Sequence, residues 1–368
     1  MLRKLLKITL YTIAGAITLS IVITLFIWIK SPGKAQPIED KSGNPIPGSI
    51  SVIEKVKLGG IDQYLIIRGQ DSLKPVMLYL HGGPGSPEFP FMKETNTDIE
   101  KDFVMVYWEQ RCAGKSFSDS IATEGLSVET LISDTRELSQ ILAKRFKKEK
   151  IYLLGHSWGS FLGIQTVARY PELFHAYFSV GQVCYQYRGE QLSYEWVKKE
   201  AELKNDKKSI QKLAEIHFPD SAGSIQQWMR YLMPERGLVM KLGGGVMHKM
   251  DGMWPLIKIV LFTQEYTLKE KINYAKGNLV SLRELWPSVI HSNLVEKFDS
   301  VQVPVYFFQG KFDYQTPTSL AYEFYTKLKA PVKEFYLFEN SAHSPMMEEI
   351  EKFNKIVASK ITEEKNEK

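Results

Sequence analysis

Apolar residues run without a charge over residues 8–29. That length meets the about 20 apolar residues a membrane-spanning helix requires. A polar segment over 35–49 follows, punctuated by Pro37, Gly43, Pro45, Pro47 and Gly48, and its composition predicts a tether. Short apolar runs then predict strands at 51–58, 64–68, 76–80 and 103–108, the first two suited to open a sheet as an antiparallel pair. Over 128–146 the period changes: Leu131, Ile132, Leu138, Ile141 and Leu142 form one helical face, closed by the basic run 144–150. Strands at 151–154 and 176–180 flank a helix over 161–170 that stops before Pro171. From about 185 to 298 the chain is helix-like throughout. Alternation resumes with strands at 303–309 and 334–338 and helices at 317–328 and 346–359. Strands alternating with helices imply an α/β fold with a mostly parallel, doubly wound sheet, interrupted by a helical insertion.

Charge sharpens the N-terminal reading. Arg3, Lys4, Lys7, Lys30 and Lys34 are the basic residues of 1–34, which hold no acid, and the remaining 42 Lys and Arg balance 42 Asp and Glu. A neutral body carries no nucleic-acid footprint. A cleaved signal peptide is the rival for the first segment, but its apolar core should span only about 7–15 residues. Trp28 and Lys30 instead sit at the end of the run like interface anchors. An uncleaved anchor is therefore expected, with residue 1 cytoplasmic by the positive-inside rule and the body outside the cytoplasm. The two cysteines, Cys112 and Cys184, lack metal-ligand spacing; two buried thiols are expected, with one bridge in an oxidising compartment as the alternative.

The strand at 151–154 ends in Gly155-His156-Ser157-Trp158-Gly159, which fits G-x-S-x-G, the strained strand-to-helix turn that exposes a nucleophilic serine. Another glycine-rich turn, His81-Gly82-Gly83-Pro84-Gly85, follows the strand at 76–80. Acyl transfer needs two N–H donors where a carbonyl oxygen becomes negative, and Gly83 and Trp158 are the candidates. A base must be one of seven histidines. His343 lies in a polar loop after the last strand, where an open α/β sheet gathers its site. Asp313, after the strand at 303–309, can hold the imidazole in the required tautomer, although a helix N-cap is its bland alternative. The order Ser157, Asp313, His343 is that of the hydrolases built on such a turn.

With these parts the chain resembles the α/β-hydrolase fold superfamily, in particular the proline iminopeptidase-like group. The resemblance rests on 81–85, on Tyr107-Trp-Glu-Gln-Arg-Cys-Ala-Gly-Lys-Ser116, on the elbow, on Gly310-Lys-Phe-Asp313 and on Ala342-His343, and it covers roughly 50–360. It implies a helical cap after the sixth strand, removal of N-terminal proline or similar residues from peptides, and no cofactor. Where the group has Asp-Gln-Arg-Gly, this chain has Glu109 and Cys112 in place of the aspartate and the glycine. A cysteine adopts positive φ with difficulty, so a differently shaped loop is expected there. The resemblance also implies acidic cap residues that hold the substrate's amine, and Glu190, then Glu195, are the candidates.

The organisation expected is a stub and transmembrane anchor over 1–34, a linker over 35–50, a hydrolase core over 51–184 and 299–368, and a cap over 185–298. The first functional reading is a membrane-tethered serine aminopeptidase acting on a peptide or small acyl substrate, with neither metal nor cofactor. An esterase or lipase on small or lipid-like esters is the second. A non-catalytic binding protein is the third, disfavoured because all three triad residue types are present.

Overall fold

The computed structural model describes residues 2–120, 123, 125–250 and 252–366. One eight-stranded sheet organises the chain: β1 (Ile50–Leu58), β2 (Ile61–Gly69), β3 (Val76–Leu80), β4 (Val104–Glu109), β5 (Ile151–His156), β6 (Phe174–Val180), β7 (Val305–Gly310) and β8 (Lys333–Phe338). Their spatial order is β1-β2-β4-β3-β5-β6-β7-β8. β1 pairs with β2 and β2 with β4 antiparallel, and every other pair is parallel. The antiparallel opening follows from the two-residue turn Gly59–Gly60, both at positive φ, which joins β1 to β2 without a crossover.

Alternation along a strand divides the core. Val76, Leu78 and Leu80 of β3 join one apolar cluster, while Met77 and Tyr79 join the other. Helices cover both clusters, which is why the central strands are apolar throughout rather than alternating. On the first face lie α3 (Val128–Phe146), α4 (Trp158–Arg169) and α11 (Thr318–Lys327), contributing Leu138, Phe161 and Phe324 among others. On the second lie α2 (Phe89–Thr95), α12 (Pro345–Glu348) and α13 (Ile350–Asn366), with Phe89, Met346 and Phe353. Between β6 and β7 come α5 (Gln186–Leu203), α6 (Lys207–Ala214), α7 (Ile225–Leu242), α8 (Trp254–Phe262), α9 (Leu268–Ile290) and α10 (Leu294–Lys297). At the N-terminus, α1 (Leu2–Ile29) contains a 26-residue stretch whose most apolar 18 residues have a mean hydropathy of 2.3, long and apolar enough to cross a membrane.

Four features differ from the sequence reading. The segment over 35–49 is pinned rather than loose. Arg68, itself paired with Glu100, donates to the Gln36 carbonyl at 2.9 Å, and Ile38 is buried. The elbow helix starts at Trp158, because Ser157 itself forms the turn. The last helix is divided at Glu349, which leaves the helical region with φ −115° and ψ 57°. Finally, Cys112 does adopt positive φ, at 63°. α9 holds it there: a Cβ added to Gly277 would lie 2.4 Å from the Cys112 carbonyl oxygen, so the contact is already close. Both Cys112 and Cys184 are buried thiols, not joined in a disulfide.

Candidate active site

At the end of β5 the chain reverses into α4 through Ser157, whose φ of 55° and ψ of −120° are strained for a residue with a side chain. The flanking glycines permit the turn. A Cβ on Gly155 would sit 2.4 Å from the Gly159 oxygen, and one on Gly159 would sit 1.9 Å from the Leu80 oxygen. The Ser157 N–H donates to the Val180 carbonyl at 2.9 Å, which ties the turn to β6.

Asp313 and His343 come from the loops after β7 and β8. Asp313 is held in a nest of donors: its Oδ1 accepts from the N–H groups of Gln315 and Thr316, both at 2.9 Å, and its Oδ2 accepts from the Thr316 hydroxyl at 2.8 Å. His343 Nδ1 lies 2.8 Å from that same Oδ2. This contact fixes the ring and leaves Nε2, which is buried and has no hydrogen-bond partner among the described residues. Ser157 and His343 line one cavity of about 590 Å³. The loop carrying His343 is fastened by Glu348, which accepts from the Ala342 N–H at 2.8 Å. An imidazole so held has one nitrogen committed to a carboxylate and the other ready to accept a proton.

Gly83 and Ser157 line both this cavity and an adjoining one of about 250 Å³, which Trp158 also lines. Gly83 has φ 111°, and the Gly83–Pro84 bond is cis. Gly82 packs so closely that a Cβ there would meet Ser157 Cβ at 3.2 Å. Trp158 is the first residue of α4, so its N–H has no partner within the helix. Its indole donates to Gln110 Oε1 at 2.9 Å.

One pair went unread in the sequence. His156, the first variable residue of the elbow pentad, places Nδ1 2.7 Å from Glu88 Oε1 and Nε2 3.0 Å from the His343 carbonyl oxygen. Tyr79 donates to Glu88 Oε2 at 2.8 Å. Burial is the largest single influence and disfavours both charges, but the partner's charge and the hydrogen bonds to each group together outweigh it, raising the His156 pKa and lowering that of Glu88. Glu88 offered no periodic or motif signal, and pairing across the fold was the only route to it.

The two proposed amine acceptors do not reach the cavity. Glu190 is fully buried, and its carboxylate is occupied by the Arg236 guanidinium through both nitrogens and by Gln186 Nε2 at 2.6 Å. It is Gln186 and Arg236 that face the smaller cavity. Glu195 is solvent-exposed on α5. Burial of a carboxylate demands a partner, and in this chain the partner is Arg236 rather than a ligand. Among the described residues, no group of three or more His, Cys, Asp or Glu side chains is gathered so as to hold a metal ion.

A strained serine turn at a parallel strand's end, with an Asp–His pair on the loops after the last two strands, defines a class. The sequence matches the alpha/beta hydrolase fold family over residues 75–350, and the chain belongs to that family, in its proline iminopeptidase-like group. It is 32% identical to a Bacillus subtilis protein named "Probable aminopeptidase YbaC" over 305 residues, which span 83% of this chain and 94% of that one. A proline iminopeptidase of Lactobacillus crispatus is 32% identical over 123 residues, 33% of this chain and 40% of that protein. Among solved structures, a proline iminopeptidase from Mycobacterium smegmatis superposes with a TM-score of 0.59 at 14% identity, over 85% of this chain and 98% of that one. That likeness concerns the fold.

Proposed function

We propose that the protein is a membrane-tethered serine hydrolase that works through an acyl-enzyme, with Ser157 as nucleophile, His343 as base and Asp313 as its orienting carboxylate. The observation that carries this reading is the 2.8 Å His343–Asp313 contact, which leaves Nε2 uncommitted beside the cavity that Ser157 lines. As Ser157 Oγ attacks a carbonyl carbon, its proton passes to His343 Nε2. The oxygen that becomes negative accepts from the N–H groups of Gly83 and Trp158. The proton then moves from His343 to the leaving group, and water repeats the sequence to free the acid. Helices α5–α10 act as a cap over this site, and α1 anchors the body on the non-cytoplasmic side.

Kinship with YbaC and the proline iminopeptidases favours an amide or peptide with a free N-terminus as substrate. Glu190 is engaged by Arg236, and Glu88, the acidic side chain on the larger cavity's wall, is already engaged by His156 and Tyr79, so a substrate amine would have to share Glu88 with that pair. A second reading, an esterase, is favoured by the apolar wall that Leu256, Val260 and Leu261 give that cavity. The test is a panel on the full chain: prolyl and other aminoacyl amides, their N-acetylated forms, and short-chain esters. Cleavage of the free aminoacyl amides, lost on acetylation, is expected. Turnover of esters alone would replace the aminopeptidase reading by the second, and turnover persisting undiminished in Ser157→Ala would remove both.

A further inference from the structure

α8 reads Trp254-Pro-Leu-Ile-Lys-Ile-Val-Leu-Phe262, apolar around its whole circumference except for the exposed Lys258. Leu256 and Val260 turn inward onto the wall of the larger cavity. The outward side is not covered: Trp254 is 65% exposed, Ile257 45% and Phe262 43%, with Met253 just before the helix at 50%. Single exposed apolar residues need no explanation, but four within ten positions, two of them aromatic, form a patch that water does not favour. Met253, Ile257 and Leu279 are at once exposed and part of the cavity lining, so they form the rim of its mouth. The patch and the entrance to the site are one surface.

The patch is also continuous with α1. Phe262 meets Phe26 edge to face, with ring centroids 6.4 Å apart. Phe26 lies three residues before the end of α1, about 4.5 Å short of it along the helix axis. Beyond α1, Lys271 of α9 donates to the Ser31 hydroxyl at 2.6 Å, and the Gly33 N–H donates to the Gln264 carbonyl at 2.9 Å. The body is thus docked on the last turn of α1 through the α8–α9 corner. If α1 spans a bilayer, a residue touching Phe26 lies at the depth of the lipid headgroups. The exposed Lys258, Lys30 and Lys34 are then placed to reach phosphates, and Trp254 is suited to the apolar–polar boundary.

We propose that α8 lies on the bilayer surface and that the larger cavity receives the apolar part of a membrane-resident, amphipathic substrate through the rim formed by Met253, Ile257 and Leu279. This rests on reading α1 as an anchor, and it extends the proposed activity to a substrate class: an amide or ester carrying a long alkyl or similarly apolar group. The bilayer supplies both the cover for the α8 patch and the route for the substrate, so an apolar group passes from lipid to cavity without crossing water.

The full chain in phosphatidylcholine vesicles tests this. A thiol-reactive fluorophore is placed at Trp254→Cys, or at Lys55→Cys on β1 as a control, the two native thiols being buried. Lipid carrying a nitroxide near its headgroup should quench the label at 254 and not at 55. Protein that stays in the vesicles after alkaline carbonate extraction, yet shows no quenching at 254, would overturn the surface contact while keeping the anchor. Release by carbonate would overturn both. Turnover gives the second arm, read in amide and ester series alike so that the choice of scissile bond is separate. Trp254→Glu should lower cleavage of a vesicle-embedded long-chain substrate about tenfold and alter that of its short soluble analogue by less than about twofold, while Trp254→Phe retains both. Equal effects on the two substrates, or none, would overturn the delivery route.

Discussion

His156 Nδ1 stands 2.7 Å from Glu88 Oε1 while its Nε2 stands 3.0 Å from the His343 carbonyl oxygen. Both ring nitrogens face acceptors, and only the imidazolium can donate to both. The charged pair therefore braces the loop that carries His343 from directly behind Ser157.

This bracing carries a pH signature. The raised His156 pKa contributes stability that is full below the ordinary histidine value of about 6.5 and is lost as pH rises through the folded value. The lowered Glu88 pKa contributes stability that is full above about 4.3 and is lost as pH falls through the folded value. The melting-temperature gap between wild type and His156→Gln should be widest between those limits and should narrow above about pH 6.5. A gap constant from pH 4 to 9 would reject the charged pair. Glu88→Gln, which strands a buried imidazolium, should cost about 3–5 kcal/mol in denaturant unfolding.

The triad assignment makes a kinetic prediction. Ser157→Ala and His343→Ala should each lower kcat/KM by about 10⁴-fold or more, and the double variant should be little worse than either, because the members act as a unit. Asp313→Asn should lose a comparable factor while its melting profile stays close to wild type. A fluorophosphonate probe should label wild type and not Ser157→Ala. Losses that add in the double variant would contradict a shared mechanism.

Two glycines are predicted to be intolerant for the same reason. A Cβ on Gly159 would lie 1.9 Å from the Leu80 oxygen, and one on Gly310 1.8 Å from the Ala342 oxygen. Both are backbone contacts and cannot yield by side-chain rotation. Each change to alanine should destabilise by about 3 kcal/mol or more in denaturant unfolding. In Gly310→Ala, protein that remains folded should also lose turnover, since Ala342 adjoins His343. Normal kcat in folded Gly310→Ala would show that the His343 loop can shift freely.

Arg236 lies between Glu190 and Glu235, bonded to both. Burial pushes Glu235 up to about 7 despite that cation. Arg236→Met should cost about 3–5 kcal/mol at pH 8, where it leaves buried carboxylates uncompensated, and less at pH 5. Adding Glu190→Gln to Arg236→Met should recover part of the loss. A penalty independent of pH would point to packing alone.

How far these features could be read in the sequence follows from their range. The elbow, Asp313 and His343 were legible because each closes a strand and stands in a fixed chain order. The bounds of α3 were legible because 19 residues carry one apolar face, opened by Ser127, whose side chain accepts from the Thr130 N–H. The occupation of Glu190 was not, since its partner lies 46 positions on, in a helix with no motif. Glu88 and His156 are 68 positions apart and escaped notice for the same reason. Cys112 misled because propensity disfavours its backbone geometry, and tertiary packing by α9 overrode it. The segment over 35–49 looked like a tether by composition, which says nothing of Arg68 reaching its carbonyl.

The stretch from Ser31 to Gln36, which leads from α1 into that segment, acts as a stitch between two lobes. Just past α1 it is sewn to the α8–α9 corner through Gln264 and Lys271, and five residues after Ser31 to the sheet through Arg68. Cutting the chain within it would do more than free a soluble body. It would leave Arg68 and Lys271, both buried, without acceptors they now use, and would unlatch the α8–α9 corner from the sheet. A version shortened to begin at residue 50 would therefore hold its α8–α9 corner more loosely, and its substrate range would describe the cut protein rather than the full chain.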